Sequence, residues 1–183
     1  KPRLGISACL LGQRVRYDGG HKHDSFLTET FGRFVEWIPV CPELEVGMGV
    51  PREAVRLVGS PQEPRMIAER SGMDWTDAMN SFAAKRIDDL AALNLSGYVL
   101  KKDSPSCGVE RVRVYESKTQ PARRGRGLFA AALMKKLPLL PVEEEGRLND
   151  PCLRENFVER VFAYHRWRIE EAAKSRGGLV AFH

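Results

Sequence analysis

Three of the four cysteines stand where an apolar segment gives way to turn-forming residues. Cys9 follows the apolar residues 4–8, Cys41 follows residues 37–40, and Cys107 lies in the turn after residues 95–100. Parallel strands deliver residues to their carboxyl ends, where α/β proteins place their functional sites. If these strands are neighbours in one sheet, three thiolates meet at one edge of that sheet.

The spacing of the cysteines limits the kinds of metal or redox site that they could form. Their wide separation along the chain excludes a zinc finger and a CxxC redox pair. A structural zinc site needs four ligands, and Cys152 is a poor fourth because it lies in a charged helical segment. Three thiolates alone suit an iron–sulfur cluster with one open iron, a position for Lewis-acid catalysis. On the pattern alone, three ordinary core cysteines remain the alternative.

Side chains that could move or orient protons stand beside two of the cysteines. Glu43 lies two residues after Cys41, where it could act as a general acid or base. Ser104 and Ser106 flank a proline next to Cys107, so their hydroxyls are expected to face the same small volume. The alternatives are a solvated loop carboxylate and two turn-forming serines.

The histidines and the overall composition limit the possible functions but do not point to a reaction. His21 and His23 lie in a polar loop and are interpreted as surface residues. The chain has 183 residues, of which 43% are hydrophobic and 29% charged, as expected for one globular domain with a real core. Since no apolar segment is long enough for a membrane span and no secretory signal is visible, we expect a cytoplasmic protein without membrane contact. The net charge of +5 permits an anionic partner without requiring one.

The periodicity alternates between strands and helices along the chain. Strands are predicted over residues 3–8, 35–40, 55–58, 95–100, 112–115 (exposed or at a sheet edge) and 137–142. Helices are predicted over residues 24–34, after Asp74, over residues 128–136 and from Asp150 onward, with loops over 60–64 and 120–127. This order predicts a three-layer, Rossmann-like α/β fold with a mostly parallel sheet and a C-terminal helix.

Three motifs resemble one known family in the same order along the chain. Residues 5–12, GISACLLG, with VRYDG at 15–19, are similar to the opening signature of the thiouracil desulfidase domain. VCPE at 40–43 and GVPR at 49–52 resemble its second block, and residues 100–108, centred on SPSCG, resemble its third. Together these motifs are far more specific than any one of them.

The resemblance implies a cofactor, a reaction and site residues. A 4Fe–4S cluster would be held by Cys9, Cys41 and Cys107, with one iron open, for a non-redox removal of sulfur from a thiolated uracil base. By motif position, Glu43 and Ser104 would be the catalytic pair. The residues expected to bind the substrate are Ser106, Lys102, Tyr17 and Asp18.

The resemblance also implies a domain division and a partner. Residues 1–148 would form the iron–sulfur desulfidase domain, and residues 149–183 a linker helix with the truncated start of a second domain. That arrangement resembles the tRNA 4-thiouridine desulfidases, in which a thiolated base leaves its stack before it reacts. Basic residues Arg123, Arg124 and Arg126 are candidates for tRNA phosphate contacts, with a solvated surface as the alternative. The competing functions are desulfidation of free thiouracil and a non-catalytic, redox-sensing iron–sulfur module.

Overall fold

The part of the chain that the structure describes contains eight strands and four α-helices. The computed structural model describes residues 1–115 and 121–172. The strands are β1 (Arg3–Ser7), β2 (Glu36–Val40), β3 (Val55–Ser60), β4 (Glu63–Ala68), β5 (Gly97–Leu100), β6 (Val112–Tyr115), β7 (Ala122–Gly125) and β8 (Val142–Glu144). The helices are α1 (Pro42–Glu45), α2 (Thr76–Ala92), α3 (Leu128–Lys136) and α4 (Pro151–Ala172).

An all-parallel sheet, which we call sheet A, lies at the centre in the order β2-β1-β5-β8. Strand β1 pairs with both neighbours, so that Leu4 lies opposite Trp37 on one side and Gly97 on the other. The prediction that the strands preceding the three cysteines are neighbours is confirmed. Their carboxyl ends therefore meet at one edge.

Helices cover both faces of sheet A, which gives the predicted three-layer architecture. On one face, Tyr98 and Leu100 pack against Ile87 of α2 and Phe129 of α3. On the other face, the alternate side chains of β1 and β5 pack against α4 and the irregular segment before β2. The buried residues of this second cluster include Leu4, Ile6, Leu27, Phe31, Val99, Phe157 and Val161. Burial on both faces explains why the two central strands, β1 and β5, are largely apolar.

A second four-stranded sheet, sheet B, has the order β4-β3-β6-β7. Strands β3 and β6 are parallel, whereas β4 and β7 pair antiparallel at the two edges. One face is buried through Leu57, Met66, Val112 and Val114 against Met79 of α2. Three predictions were wrong here. Strand β6 is an interior strand of sheet B instead of an edge strand, the predicted loop 60–64 contains the start of β4, and the predicted loop 120–127 contains the whole of β7.

Further boundaries differ from the predictions. The last strand of sheet A begins at Val142 instead of residue 137, and the predicted helix 24–34 is a π-helical turn followed by a 3₁₀ turn. Among the described residues, no helix is long and apolar enough to cross a membrane. The proposed start of a second domain near residues 179–183 lies outside the described residues, so the division at residue 148 stays a prediction.

Candidate active site

The three cysteines predicted as ligands line one cavity at the carboxyl edge of sheet A. Cys9, Cys41 and Cys107 lie around a space of about 540 Å³. Cavities of roughly 300–1,000 Å³ are typical of small-molecule sites. The strand order brings the thiols together because β1 ends two residues before Cys9, β2 ends immediately before Cys41, and β5 leads into the turn that carries Cys107.

Cys9 lies in a 3₁₀ turn that follows β1 directly. The turn ends at Gly12, whose φ of 86° is in the left-handed region that glycine adopts without strain. The Cys9 carbonyl accepts a hydrogen bond from the Lys22 amide at 2.9 Å, which ties the polar loop over the cavity. Burial, followed by the neighbouring Cys41, raises the pKa of Cys9 to about 11.

Cys41 caps the short helix α1, whose first residue is Pro42. The Cys41 amide donates to Oε1 of Glu45 at 3.0 Å, and Arg86 of α2 donates to Oε2 of the same carboxylate at 2.9 Å. The cysteine backbone is thereby fixed to α2. Burial also raises the pKa of the Cys41 thiol, against the opposing effect of the Leu44 amide.

Cys107 lies in a turn that is held from within and from α3. The Ser104 hydroxyl accepts hydrogen bonds from the amides of Ser106, at 3.2 Å, and Cys107, at 3.1 Å. The Leu128 amide at the start of α3 donates to the Pro105 carbonyl at 3.0 Å. Burial raises the pKa of Cys107, although a hydrogen bond with the Ser7 side chain opposes this increase.

Glu43 is oriented by two partners inside the cavity. Arg52 donates to Oε2 through Nε and Nη2, at 3.1 and 2.7 Å, while the Ser106 hydroxyl donates to Oε1 at 2.7 Å. The side chains of Arg52 and Glu43 are only 6% and 14% exposed. Arg52 is itself anchored by the carbonyls of Val15 and Gly49, at 3.0 and 2.9 Å. A carboxylate held in this way has a fixed orientation in the wall of the cavity.

The residues predicted to contact a substrate divide into two groups. Ser104, Lys102 and Tyr17 line the cavity. Ser106 is fully buried and reaches Glu43 instead, whereas Asp18 is exposed outside the cavity lining. Asp18 accepts a hydrogen bond from the Gly20 amide, and this bond, with the nearby Arg16, lowers the pKa of the carboxyl group.

The three arginines predicted to contact RNA lie on or next to β7, outside the cavity lining. Nε of Arg126 donates to the Val109 carbonyl at 2.9 Å, so this guanidinium supports the turn that follows Cys107. Arg123 lies opposite Arg113 across the β6–β7 pair, and Arg124 is exposed beside it. The structure therefore does not gather the three guanidinium groups around one point.

Several residues that organise the cavity were not predicted from the sequence. Arg52 fixes Glu43, and its position at the end of the GVPR motif was the available signal. The Ser7 hydroxyl accepts the Lys101 amide at 3.0 Å, which joins the ends of β1 and β5. The Lys101 ammonium pairs with Glu145 at 2.5 Å beside the cavity. Because the two residues are far apart in the sequence, no local pattern predicts this contact.

The donor set fits an iron–sulfur cluster better than a single metal ion. Within residues 1–115 and 121–172, no group of three His, Cys, Asp or Glu side chains is compact enough for one metal ion. Cys152 is exposed on α4, and the His23 ring is bonded to Thr28 at 2.9 Å. Three soft thiols around one cavity match the needs of a cluster with sulfide atoms.

Comparisons with known proteins agree with this chemistry. Residues 4–145 match the model of the 2-thiouracil desulfurase family. The uncharacterized protein YbbK of Bacillus subtilis (strain 168) is 33% identical over 153 residues, which cover 79% of this chain and 97% of YbbK. A solved structure of the 4Fe–4S-dependent thiouracil desulfidase TudS matches with a TM-score of 0.66 and 28% identity, covering 85% of this chain and 99% of TudS. This chain therefore belongs to the 2-thiouracil desulfurase family.

Proposed function

We propose that this protein is a 4Fe–4S-dependent desulfidase that converts a thiolated uracil base to uracil, most specifically 4-thiouridine in tRNA. The observation that carries this proposal is the convergence of three thiols and a fixed carboxylate on one cavity. In the overall reaction, water replaces the thiocarbonyl sulfur, and sulfur leaves as hydrosulfide with no net oxidation or reduction. The similarity to a 4Fe–4S-dependent enzyme supports the choice of cofactor.

Cys9, Cys41 and Cys107 would hold the cluster through three thiolates. When bound, the cluster would supply an iron without a cysteine ligand, a soft Lewis acid suited to a thiocarbonyl sulfur. The Ser7 hydroxyl, within hydrogen-bond reach of Cys107, would stabilise the thiolate form of that ligand. Cys152 has no part in this site because it is exposed on α4.

Glu43 would carry the proton that the reaction requires. Its position on the cavity wall allows it to take a proton from water and deliver it to the base or the leaving sulfur. Arg52 holds one carboxylate oxygen, and the Ser106 hydroxyl holds the other. Ser104 lines the cavity and is proposed to orient the base, while its hydroxyl also accepts the Cys107 amide.

Cationic side chains around the cavity support a nucleotide substrate over a neutral base. The basic lining residues are Arg16, Lys22, Arg52, Lys101, Lys102 and Arg113, against the acidic Glu43, Glu69 and Asp103. Phosphate contacts supply much of the affinity of RNA-binding proteins. Arg123 and Arg124 are exposed and available for further phosphate contacts, which supports tRNA as the partner. A tRNA substrate would place the protein in the cytoplasm.

Free thiouracil is the second candidate substrate. It is favoured by the structural similarity to TudS, a thiouracil desulfidase. The cavity is also large enough for a free base. A non-catalytic redox sensor is the third possibility, although it would not require the Arg52–Glu43–Ser106 arrangement. Only the release of sulfide from defined substrates separates these functions.

The test is anaerobic reconstitution with iron and sulfide, followed by sulfide-release assays on 4-thiouracil, 4-thiouridine and thiolated tRNA. We expect an iron–sulfur absorbance band, about four irons per chain, and the fastest release from tRNA. Cys107→Ser should lose the cluster, whereas Cys152→Ser, the matched control, should keep it.

Each result bears on a different part of the proposal. A full iron content in Cys107→Ser would contradict the ligand assignment. Faster release from the free base than from tRNA would favour the second candidate, and release from no substrate by a loaded protein would favour the sensor.

A further inference from the structure

A second cavity adjoins the cysteine cavity along sheet B. Its volume is about 340 Å³, and five of its nine lining residues also line the cysteine cavity. Arg113 of β6 is one of the shared residues, so it stands at the junction. The chain attached to a base in the cysteine cavity would therefore have room in this second space.

The outer face of sheet B carries an aromatic ring among arginines. Val112 and Val114 point into the core, so Arg113 and Tyr115 occupy the opposite face of β6. The Arg56 guanidinium of β3 lies 5.3 Å from the centre of the Tyr115 ring. Arginine stacked on an aromatic ring is a common platform for nucleic-acid bases and phosphates.

Two like charges face each other on this surface. Arg113 and Arg123 are register partners across the β6–β7 pair, and like charges directly opposite each other destabilise a sheet. Within residues 1–115 and 121–172, neither guanidinium forms an ion pair, whereas Arg65 on the same sheet is paired with Asp74. An anion between Arg113 and Arg123 would remove the repulsion.

The same cavity also contains hydrogen-bond acceptors. Glu69 and Asp103 line it beside Arg56 and Arg113, so its formal charges balance. A site for inorganic phosphate alone would not place two carboxylates there. Carboxylates suit ribose hydroxyls, guanidinium groups suit phosphate, and Tyr115 suits a base.

We propose that this second cavity and the adjoining face of sheet B bind the nucleotide next to the thiolated base in a single-stranded RNA segment. The inference rests on the proposed function, because it assumes that the thiolated base occupies the cysteine cavity. Arg113 and Arg123 contact the connecting phosphate, Arg56 and Tyr115 contact the neighbouring base, and Glu69 and Asp103 accept its ribose hydroxyls. The substrate class is therefore a nucleotide within a chain, not a free base.

The test compares binding of the cluster-loaded protein to a labelled six-nucleotide RNA carrying one central 4-thiouridine. Fluorescence anisotropy over a series of salt concentrations gives the affinity and its salt dependence. For Arg56→Gln/Arg123→Gln, two residues that do not line the cysteine cavity, we expect affinity about tenfold lower. The slope of log affinity against log salt should be flatter by about 0.7, because Arg123 supplies the phosphate contact that is lost. Turnover of free 4-thiouracil should stay unchanged.

Arg33→Gln is the matched control, because Arg33 is exposed in the 3₁₀ turn that precedes β2, at the opposite end of sheet A. Wild-type affinity in the double variant, or an equal loss in Arg33→Gln, would overturn the proposal. Equal competition by polyglutamate would also overturn it, since it would indicate a site for acidic protein segments. Because anisotropy measures binding without turnover, it decides the proposal even if no substrate releases sulfide.

Discussion

At the scale of single residues, the candidate site depends on how one carboxylate is held. Arg52 and Ser106 occupy different oxygens of Glu43, so the carboxylate cannot rotate without losing a hydrogen bond. Both Arg52 and Glu43 are nearly buried, which strengthens the interaction relative to an exposed pair. Such fixed geometry is a requirement for efficient proton transfer.

Glu43→Gln tests this role with little change in shape. The amide cannot accept and return a proton, so we expect sulfide release to fall about 10²–10⁴-fold. Iron content should stay at the wild-type level because Glu43 is not among the proposed ligands. The measurement pairs iron analysis with sulfide release from the same anaerobic sample.

Glu36→Gln is the control, since Glu36 forms an exposed ion pair with Arg3 at the far end of β2. Near-normal turnover in the loaded Glu43→Gln protein would move the proton-carrying role to another acid, with Glu45 and Asp103 as the next candidates. Glu45 is the weaker candidate for proton transfer, because its carboxylate already binds the Cys41 amide and Arg86.

The sequence predicted which residues line the cavity better than it predicted their contacts. Glu43, Ser104 and the three cysteines could be identified because each follows a strand end or belongs to a motif. The partner of Glu43 could not, because the choice between Ser104 and Ser106 depends on which way the turn folds. In the structure, Ser106 reaches the carboxylate while Ser104 binds the backbone.

At the scale of elements, the position of Cys107 depends on the start of α3. The chain enters this helix through Gly127, whose amide donates to the Gly108 carbonyl at 2.8 Å. A Cβ atom at Gly127 would lie 2.4 Å from the Ser106 carbonyl carbon and oxygen, and 2.8 Å from the Cys107 nitrogen. Only glycine permits the helix to approach the cysteine turn this closely.

Gly127→Ala should therefore displace the turn rather than the helix alone. Because the clash is with backbone atoms, we expect a loss of about 1–3 kcal/mol in the free energy of unfolding. We also expect weaker retention of iron. Denaturant unfolding and iron content per chain measure the two effects.

Lys135→Ala, at the exposed end of the same helix, should leave both quantities unchanged. Wild-type iron content and stability in Gly127→Ala would mean that the turn adjusts freely, and that α3 does not fix Cys107.

Edge strands account for most of the elements that sequence reasoning missed. Strand β4 contains Pro64, which indicated a loop, but an edge strand tolerates a residue without an amide hydrogen. Strand β7 carries Arg123 and Arg124, and charged residues of this kind are common at sheet edges. The central strands of sheet A were predictable because burial on both faces leaves them apolar.

At the scale of the whole molecule, α4 lies beyond residues 4–145 that match the family, yet it completes the core. Phe157 and Val161 are fully buried with Leu4 and Ile6 of β1. Gly97 of β5 makes room for this contact, since a Cβ there would lie 2.8 Å from Val161. The helix therefore covers one face of sheet A, and the three cysteines lie at the carboxyl edge of the same sheet.

Phe157→Ala tests whether α4 is an integral layer of the fold. Removing a fully buried ring should lower the free energy of unfolding by about 3–5 kcal/mol, because a cavity remains in the core. Since Phe157 packs on the same sheet as the site, the loss should appear in one cooperative transition shared by the fold and the bound cluster. Denaturant unfolding, followed by far-ultraviolet circular dichroism and by cluster absorbance, measures both.

Ile169→Ala is the matched control on the same helix, because Ile169 is 57% exposed and its removal should change stability by less than about 0.5 kcal/mol. Two separate transitions in Phe157→Ala, with the cluster lost only in the second, would show that α4 unfolds independently of the site. The expected single transition would instead mean that the layer outside the family match supports the cysteine edge, since sheet A connects them through β1 and β5.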